Sequence, residues 1–302
     1  MKFSFWESYS YFCWLNNEFT VNSDPYLYLL YTKMLYTKTY YLSADHDWVV
    51  FIHGAGGSSN IWFRQLKAYS EVFNVLLVDL RGHGRSRDMS MMKKYYKKKY
   101  SFKTVSKDVL EALSQNNIEK AHFVGVSLGT IIIRTIAEME PDRVISAVMC
   151  GAITRLNIRS RILVWLGHTF KKLVPFIWLY KLFARVIMPR KNHEESRSLF
   201  VQDAKNLARK EFLKWFRLTY EVNPVLRYFK EKEMDAPTLY VMGEEDHMFL
   251  PPVRKMVNEF NQSYLEVVEG SGHVVNVDKP DKFNEISLRF LVNQKSRFQQ
   301  SA

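Results

Sequence analysis

Two cysteines, Cys13 and Cys150, are all that the 302 residues contain. Two cannot build the disulfide framework of a small secreted domain, so a reducing compartment is the expectation. Also missing is any uncharged apolar run of about 18 residues, the length a membrane-spanning helix requires. The amino-terminal stretch Phe5-Trp6-Glu7-Ser8-Tyr9 is broken by an acid and no small-residue cleavage site follows, so it does not read as a secretory signal. A cytoplasmic location is the expectation. No H-E-x-x-H and no paired C-x-x-C occurs, so neither a metal nor a cofactor is implied. Internal repeats and low-complexity tracts are absent too. What remains is ordinary: 47% hydrophobic and 25% charged residues, in a chain long enough for one large domain or a core with an inserted subdomain.

Charge is the first positive feature. The formal net charge is +12, part of it in the run Lys93-Lys94-Tyr95-Tyr96-Lys97-Lys98-Lys99-Tyr100. Lysines interleaved with tyrosines suit a solvated loop, and their functional reading is weak peripheral contact with an anionic membrane surface. No nucleic-acid-binding fold accompanies the run, so no nucleic-acid partner is expected.

The chemistry is carried by Gly125-Val126-Ser127-Leu128-Gly129. An apolar run, Ala121-His122-Phe123-Val124, enters it, and a helix-like stretch from Thr130 leaves it. That is the strand–turn–helix context of a nucleophile elbow, in which a sharp turn lifts the serine hydroxyl clear of the sheet. A hydroxyl is a poor nucleophile until an imidazole accepts its proton, and the imidazole needs a carboxylate to fix its tautomer. Both follow in order. Asp246 lies after the strand-like Thr238–Met242, and His273 after the strand-like Tyr264–Val268. Glu244 and Glu245 compete with Asp246 for the acid role, and the G-x-x-D spacing from Gly243 favours Asp246. Ser127, Asp246 and His273 are the predicted catalytic residues.

Here the chain resembles the α/β-hydrolase superfamily. Trp48–Ile52 followed by His53-Gly54-Ala55-Gly56-Gly57 looks like the family's oxyanion strand and loop. Asp79-Leu80-Arg81-Gly82-His83-Gly84-Arg85-Ser86 is similar to its D-x-R-G-H-G-x-S segment, and Ser271-Gly272-His273 to its histidine end. The resemblance covers residues 46–152 and 235–294. It implies that the backbone N–H groups of Ala55 and Leu128 form the oxyanion hole, and that His53 and His83 brace structure rather than exchange protons.

The expected fold is therefore α/β, a mostly parallel sheet with helices on both faces and an inserted helical cap. Residues 1–33 form an aromatic extension, 34–152 and 235–302 the core, and 153–234 the cap. Strands are expected within 34–43 and at 48–53, 74–80, 121–126 and 144–151, with helices near 59–71, 103–116 and 128–139. In the cap, Ile162, Leu163, Leu166, Phe170, Leu173, Phe176, Ile177, Tyr180, Leu182 and Phe183 recur near helical spacing, punctuated by Lys171, Lys172, Lys181 and Arg185, and a second helical stretch carries Leu207, Phe212, Trp215, Phe216 and Tyr220. Helical stripes usually form a core, but a lid over a nucleophile must turn some aromatics inward.

The expected activity is a serine hydrolase that cleaves an ester or related acyl bond of a small apolar substrate through an acyl-enzyme. The same resemblance also covers carbon–carbon bond hydrolases, cofactor-free haloperoxidases and a lyase of menaquinone synthesis. That lyase carries arginine three residues after its serine, where this chain has Thr130. Dehalogenases and epoxide hydrolases of this fold use an aspartate nucleophile, which Ser127 does not match. A ligand-binding signalling protein with vestigial hydrolysis is the reading from another class, and a peripheral membrane lipase a further one.

Overall fold

The computed structural model describes residues 35–87, 100–170, 173–207 and 209–300, with side chains to 294. The expected extension at 1–33 and most of the basic run at 93–100 lie outside the described residues.

Seven strands are formed: β1 (Thr37–Tyr40), β2 (Trp48–Ile52), β3 (Asn74–Val78), β4 (Ala121–Val126), β5 (Val144–Cys150), β6 (Thr238–Gly243) and β7 (Ser263–Val268). They make one sheet in the order β1-β3-β2-β4-β5-β6-β7, with β1 antiparallel to β3 and every other pair parallel. The chain reverses its direction of travel at β2, between β3 and β4, which is where an open α/β sheet leaves a crevice at the strand ends. The fold class is the expected one.

Strand parity divides the core. Val50, Ile52, Leu76, Val78 and Phe123 point to one face, where α2 (Phe102–Gln115), α3 (Leu128–Met139) and α9 (Leu250–Val257) cover them. Val49, Phe51, Val75, Leu77 and Val124 point to the other, against α1 (Phe63–Ser70), α10 (Val275–Asp278) and α11 (Pro280–Gln300). The alternation is the period-2 geometry of a strand, and a sheet buried on both faces selects the near-continuous apolar runs seen in β2, β3 and β5. α2 starts at Ser101, whose hydroxyl accepts the Thr104 N–H while Thr104 reciprocates, a capping box that satisfies two otherwise orphaned donors.

Two expectations need adjusting. Of the strands expected within 34–43, only β1 forms among the described residues. The helix expected at 59–71 opens as a 3-10 turn, Ser59–Trp62, before α1 begins. The Asp79 carboxylate takes the Ser59 N–H at 2.7 Å, which ties down the first turn from outside the helix.

Between β5 and β6 lie α4 (Ile158–Phe170), α5 (Phe176–Ile187), α6 (Glu194–Lys205), α7 (Arg209–Arg217) and α8 (Thr219–Glu231). Leu179, Tyr180, Ala204, Leu207, Phe212 and Phe216 give this insertion a small core of its own.

Candidate active site

Ser127 stands between β4 and α3 with φ 54° and ψ −117°, one of two non-glycine residues with positive φ among the described residues. Such a conformation costs about 1–3 kcal/mol and persists only where the surroundings impose it. Here they do. The Ser127 N–H donates to the Cys150 carbonyl at 2.9 Å, pinning the turn to β5. A Cβ on Gly129 would sit 2.4 Å from the Ile52 carbonyl oxygen, so only glycine lets α3 approach β2 this closely.

β7 leads to His273 and β6 to Asp246, and the loops after these strands bring both to Ser127. The His273 Nε2–Ser127 Oγ distance is 2.9 Å, and the His273 Nδ1–Asp246 Oδ2 distance is 2.8 Å. Asp246 is fully buried and His273 nearly so. The tautomer follows from the partners. Asp246 Oδ1 already accepts the Met248 and Phe249 N–H groups at 3.3 and 3.0 Å, and Oδ2 has only His273 left to accept from. Nδ1 therefore carries the proton, and Nε2 is left to accept from the serine hydroxyl. The Phe249 ring lies 4.9 Å from the imidazole, centroid to centroid, and limits its rotation.

Neither competing acid reaches His273. Glu245 instead accepts from Asn192 at 2.9 Å and lies 2.7 Å from Nε2 of the buried His193. Glu244 lies 3.4 Å from the Gly270 N–H.

The loop at 53–57 is held by two buried imidazoles. The Leu80 N–H donates to His53 Nε2 at 2.9 Å, and His53 Nδ1 donates to the Gly54 carbonyl at 2.8 Å. The Gly56 N–H donates to His83 Nε2 at 3.0 Å, and His83 Nδ1 donates to the Arg81 carbonyl at 3.1 Å. Each ring thus needs one bare nitrogen and must stay neutral. Burial lowers the His53 pKa, and burial reinforced by neighbouring His53 pushes His83 down to about 3. Beneath them Arg81 forms a buried two-pronged pair with Asp108 at 2.6 Å on each prong.

Ser127 and His273 open onto a cavity of about 410 Å³. Ala55 and Leu128 also line it, and Leu128 is the first residue of α3, so the wall beside the serine includes a helix N-terminus. The far walls come from the insertion: Leu163, Phe183, Phe212, Trp215 and Phe216 among others. Of the aromatic and aliphatic positions singled out from the sequence, these face the cavity, whereas Ile162, Phe170, Leu173, Leu182 and Tyr220 are exposed.

One cavity residue had no signal in the sequence. Asp203, on α6, lines the cavity and accepts from the Ser58 hydroxyl at 3.0 Å, and burial raises its pKa. It is 145 residues distant from Ser58 in the chain, and no motif marks it. Cys150 is fully buried on β5, and burial pushes its thiol up to about 12.

Comparison with known proteins gives a consistent picture. A family profile described as the alpha/beta hydrolase fold matches residues 47–172. A relative from Agrobacterium fabrum named "Putative carbamate hydrolase RutD" is 26% identical over 267 residues, covering 82% of this chain and 94% of its own. Among solved structures, the enol-lactonase from Burkholderia xenovorans LB400 superimposes with a TM-score of 0.70 at 18% identity, covering 85% of this chain and 96% of its own. Est816, described as an N-acyl homoserine lactone degrading enzyme, does so with a TM-score of 0.68 at 22% identity, covering 85% and 96%. The chain has the α/β-hydrolase fold, and the proteins it is similar to are named as hydrolases.

Proposed function

We propose that this protein is a serine hydrolase that cleaves an ester or related acyl bond of a small apolar substrate. The observation that carries the reading is the Ser127–His273–Asp246 chain, with links of 2.9 and 2.8 Å, opening onto an apolar cavity. The carbamate and lactone bonds named for its relatives share the feature this reading needs, a carbonyl carbon bearing a heteroatom leaving group.

In the proposed reaction, Ser127 Oγ attacks the carbonyl carbon as His273 Nε2 takes its proton. Asp246 holds the Nδ1–H tautomer and stabilises the imidazolium. The backbone N–H groups of Ala55 and Leu128 receive the oxyanion, where preorganised donors act without reorganising at the moment of reaction. His273 then protonates the leaving group and afterwards activates the water that releases the acid. α4–α8 serve as a lid, whose aromatic inner wall excludes water and accepts the apolar part of the substrate.

Hydrolysis of p-nitrophenyl esters from acetate to palmitate, by the wild type and Ser127→Ala, tests this reading. A peak at one chain length, lost at least about 10³-fold in the variant, is the expected outcome. Labelling of Ser127 by a fluorophosphonate without ester turnover would favour carbon–carbon or lyase chemistry, or a receptor. Neither labelling nor turnover would sink the assignment of the three residues.

A further inference from the structure

The two helices that roof the cavity are apolar on their outer sides as well. On α4, Ile158, Ile162 and Trp165 are exposed, and their four- and three-residue spacing puts them on one face. On α5, Trp178 and Leu182 are exposed at the same spacing, and Leu173 precedes them at 75% exposure. The tryptophans are 62% and 63% exposed. The inner sides of these helices contribute Leu163, Val164, Tyr180 and Phe183 to the cavity wall. Scattered exposed apolar residues are normal in a monomer, but five on two consecutive helices and a sixth in the turn that joins them are not scatter.

The charge around them has one sign. Residues 155–193 contain nine lysines and arginines and no aspartate or glutamate, although the whole chain carries only +12. Arg155, Arg159, Arg161, Lys181 and Arg185 are exposed and form no ion pair among the described residues. The basic run at 93–100 holds five lysines, fewer than these nine though more closely spaced.

We propose that the outer face of α4, Leu173 and α5 docks this protein on an anionic lipid bilayer. Its composition suits that surface in both parts. Tryptophan and aliphatic side chains settle at the boundary of headgroups and acyl chains, and arginine and lysine are drawn to acidic headgroups. A second copy of the chain would bring like charges face to face, and nucleic acid would leave the exposed isoleucines and leucines uncovered. Among the described residues no helix is long and apolar enough to cross a membrane, so the contact is peripheral. It places the roof of the cavity, rather than the opposite side of the sheet, against the bilayer.

The test is sedimentation of the full chain with vesicles of phosphatidylcholine alone or mixed with phosphatidylserine, at low and high salt. Binding to the mixed vesicles is expected to exceed binding to phosphatidylcholine at least about tenfold, and to fall as salt shortens the screening length. Trp165→Ser with Trp178→Ser should weaken it about tenfold in a protein that melts as the wild type does. Arg159→Glu, Arg161→Glu and Lys181→Glu together should remove the salt-sensitive part. None of these five side chains lines the cavity. Wild-type protein that ignores anionic vesicles would overturn the proposal. So would binding unchanged by the substitutions, which would put the contact elsewhere on the chain. A tryptophan variant that only converts a dimer to a monomer would assign the face to self-association instead.

Discussion

The sheet end that carries Ser127 and the helices inserted between β5 and β6 meet at one cavity but are built by opposite means. At the sheet end, position is set by backbone. The Ser127 N–H is tied to the Cys150 carbonyl, two neutral imidazoles hold the 53–57 loop, and both Asp246 oxygens are engaged by donors. In the insertion, position is set by rings against rings: Phe212 and Phe216 lie 5.4 Å apart, and Phe183 stacks on Phe216 at 6.2 Å with 13° between planes. Backbone hydrogen bonds leave little freedom, whereas aromatic contacts permit repacking. Chemistry needs the first kind of wall and substrate variety the second, since hydrogen-bond geometry is lost within a few tenths of an ångström.

The sharpest way to break the rigid side is Asp246→Asn. Oδ1 accepts two N–H groups, so the new amide must keep its oxygen there and turn its NH₂ toward His273. His273 Nδ1 would then have to accept, which puts the proton on Nε2, where it cannot take one from Ser127. A fall in kcat of about 10⁴-fold with little change in melting temperature is expected, read from ester hydrolysis and thermal unfolding.

A pair of glycine substitutions compares the two regions directly. Gly129→Ala drives a methyl group to 2.4 Å from the Ile52 carbonyl oxygen, whereas Gly167→Ala drives one to 2.3 Å from Phe216 Cζ. The first neighbour is backbone and the second the far end of a side chain. Urea unfolding should show a loss of at least about 3 kcal/mol for Gly129→Ala and of within about 1 kcal/mol for Gly167→Ala, where alanine's better helix propensity offsets part of the crowding. Equal losses would show the insertion to be as unyielding as the sheet.

Acid should weaken the sheet end through His83. Its pKa falls from 6.5 to about 3 on folding, so between these values the unfolded chain binds a proton that the folded chain does not. Stability is therefore unaffected above pH 6.5 and declines below it, by about 2 kcal/mol at pH 5 from this group alone. His53, lowered in the same direction, adds to the decline. In His83→Gln, which keeps a donor and an acceptor, the change in urea midpoint between pH 7.5 and 5 should shrink.

The smallest effect expected is in the insertion. Phe183→Ala enlarges the cavity wall and should move the preferred acyl chain to greater length, with about a tenfold gain in kcat/KM for the longest ester tested. No change in chain-length preference would separate this ring from the substrate.

The ease of reading the sequence follows the same division. β2, β3, β4 and β5 lie within two residues of their expected positions because each is an apolar run bounded by turn residues, and α3 occupies the expected 128–139. Ser127, His273 and Asp246 could be picked out because each follows a strand in a local pattern that does not depend on the rest of the chain. Which of three adjacent acids meets His273 depends on a turn of one residue: Asp246 accepts the N–H groups of Met248 and Phe249, and Glu245 is drawn off by His193 and Asn192. In α4 and α5 the apolar residues recur on every side, so periodicity did not distinguish the cavity wall from the exposed face. Asp203 reaches Ser58 across 145 residues and had no local sign at all.

The sequence by itself determined the alternation of strands and helices, the sharp turn at Ser127 and the order in which acid and histidine follow it. Those are properties of short segments, set by apolar periodicity and by where glycine alone fits. Only the tertiary structure decided which aromatics of the insertion face inward, and which apolar side chains of α4 and α5 stay exposed beside Arg155, Arg159, Arg161, Lys181 and Arg185. These depend on contacts between segments far apart in the chain, and the free energy of such contacts is decided by how the elements pack rather than by any element alone.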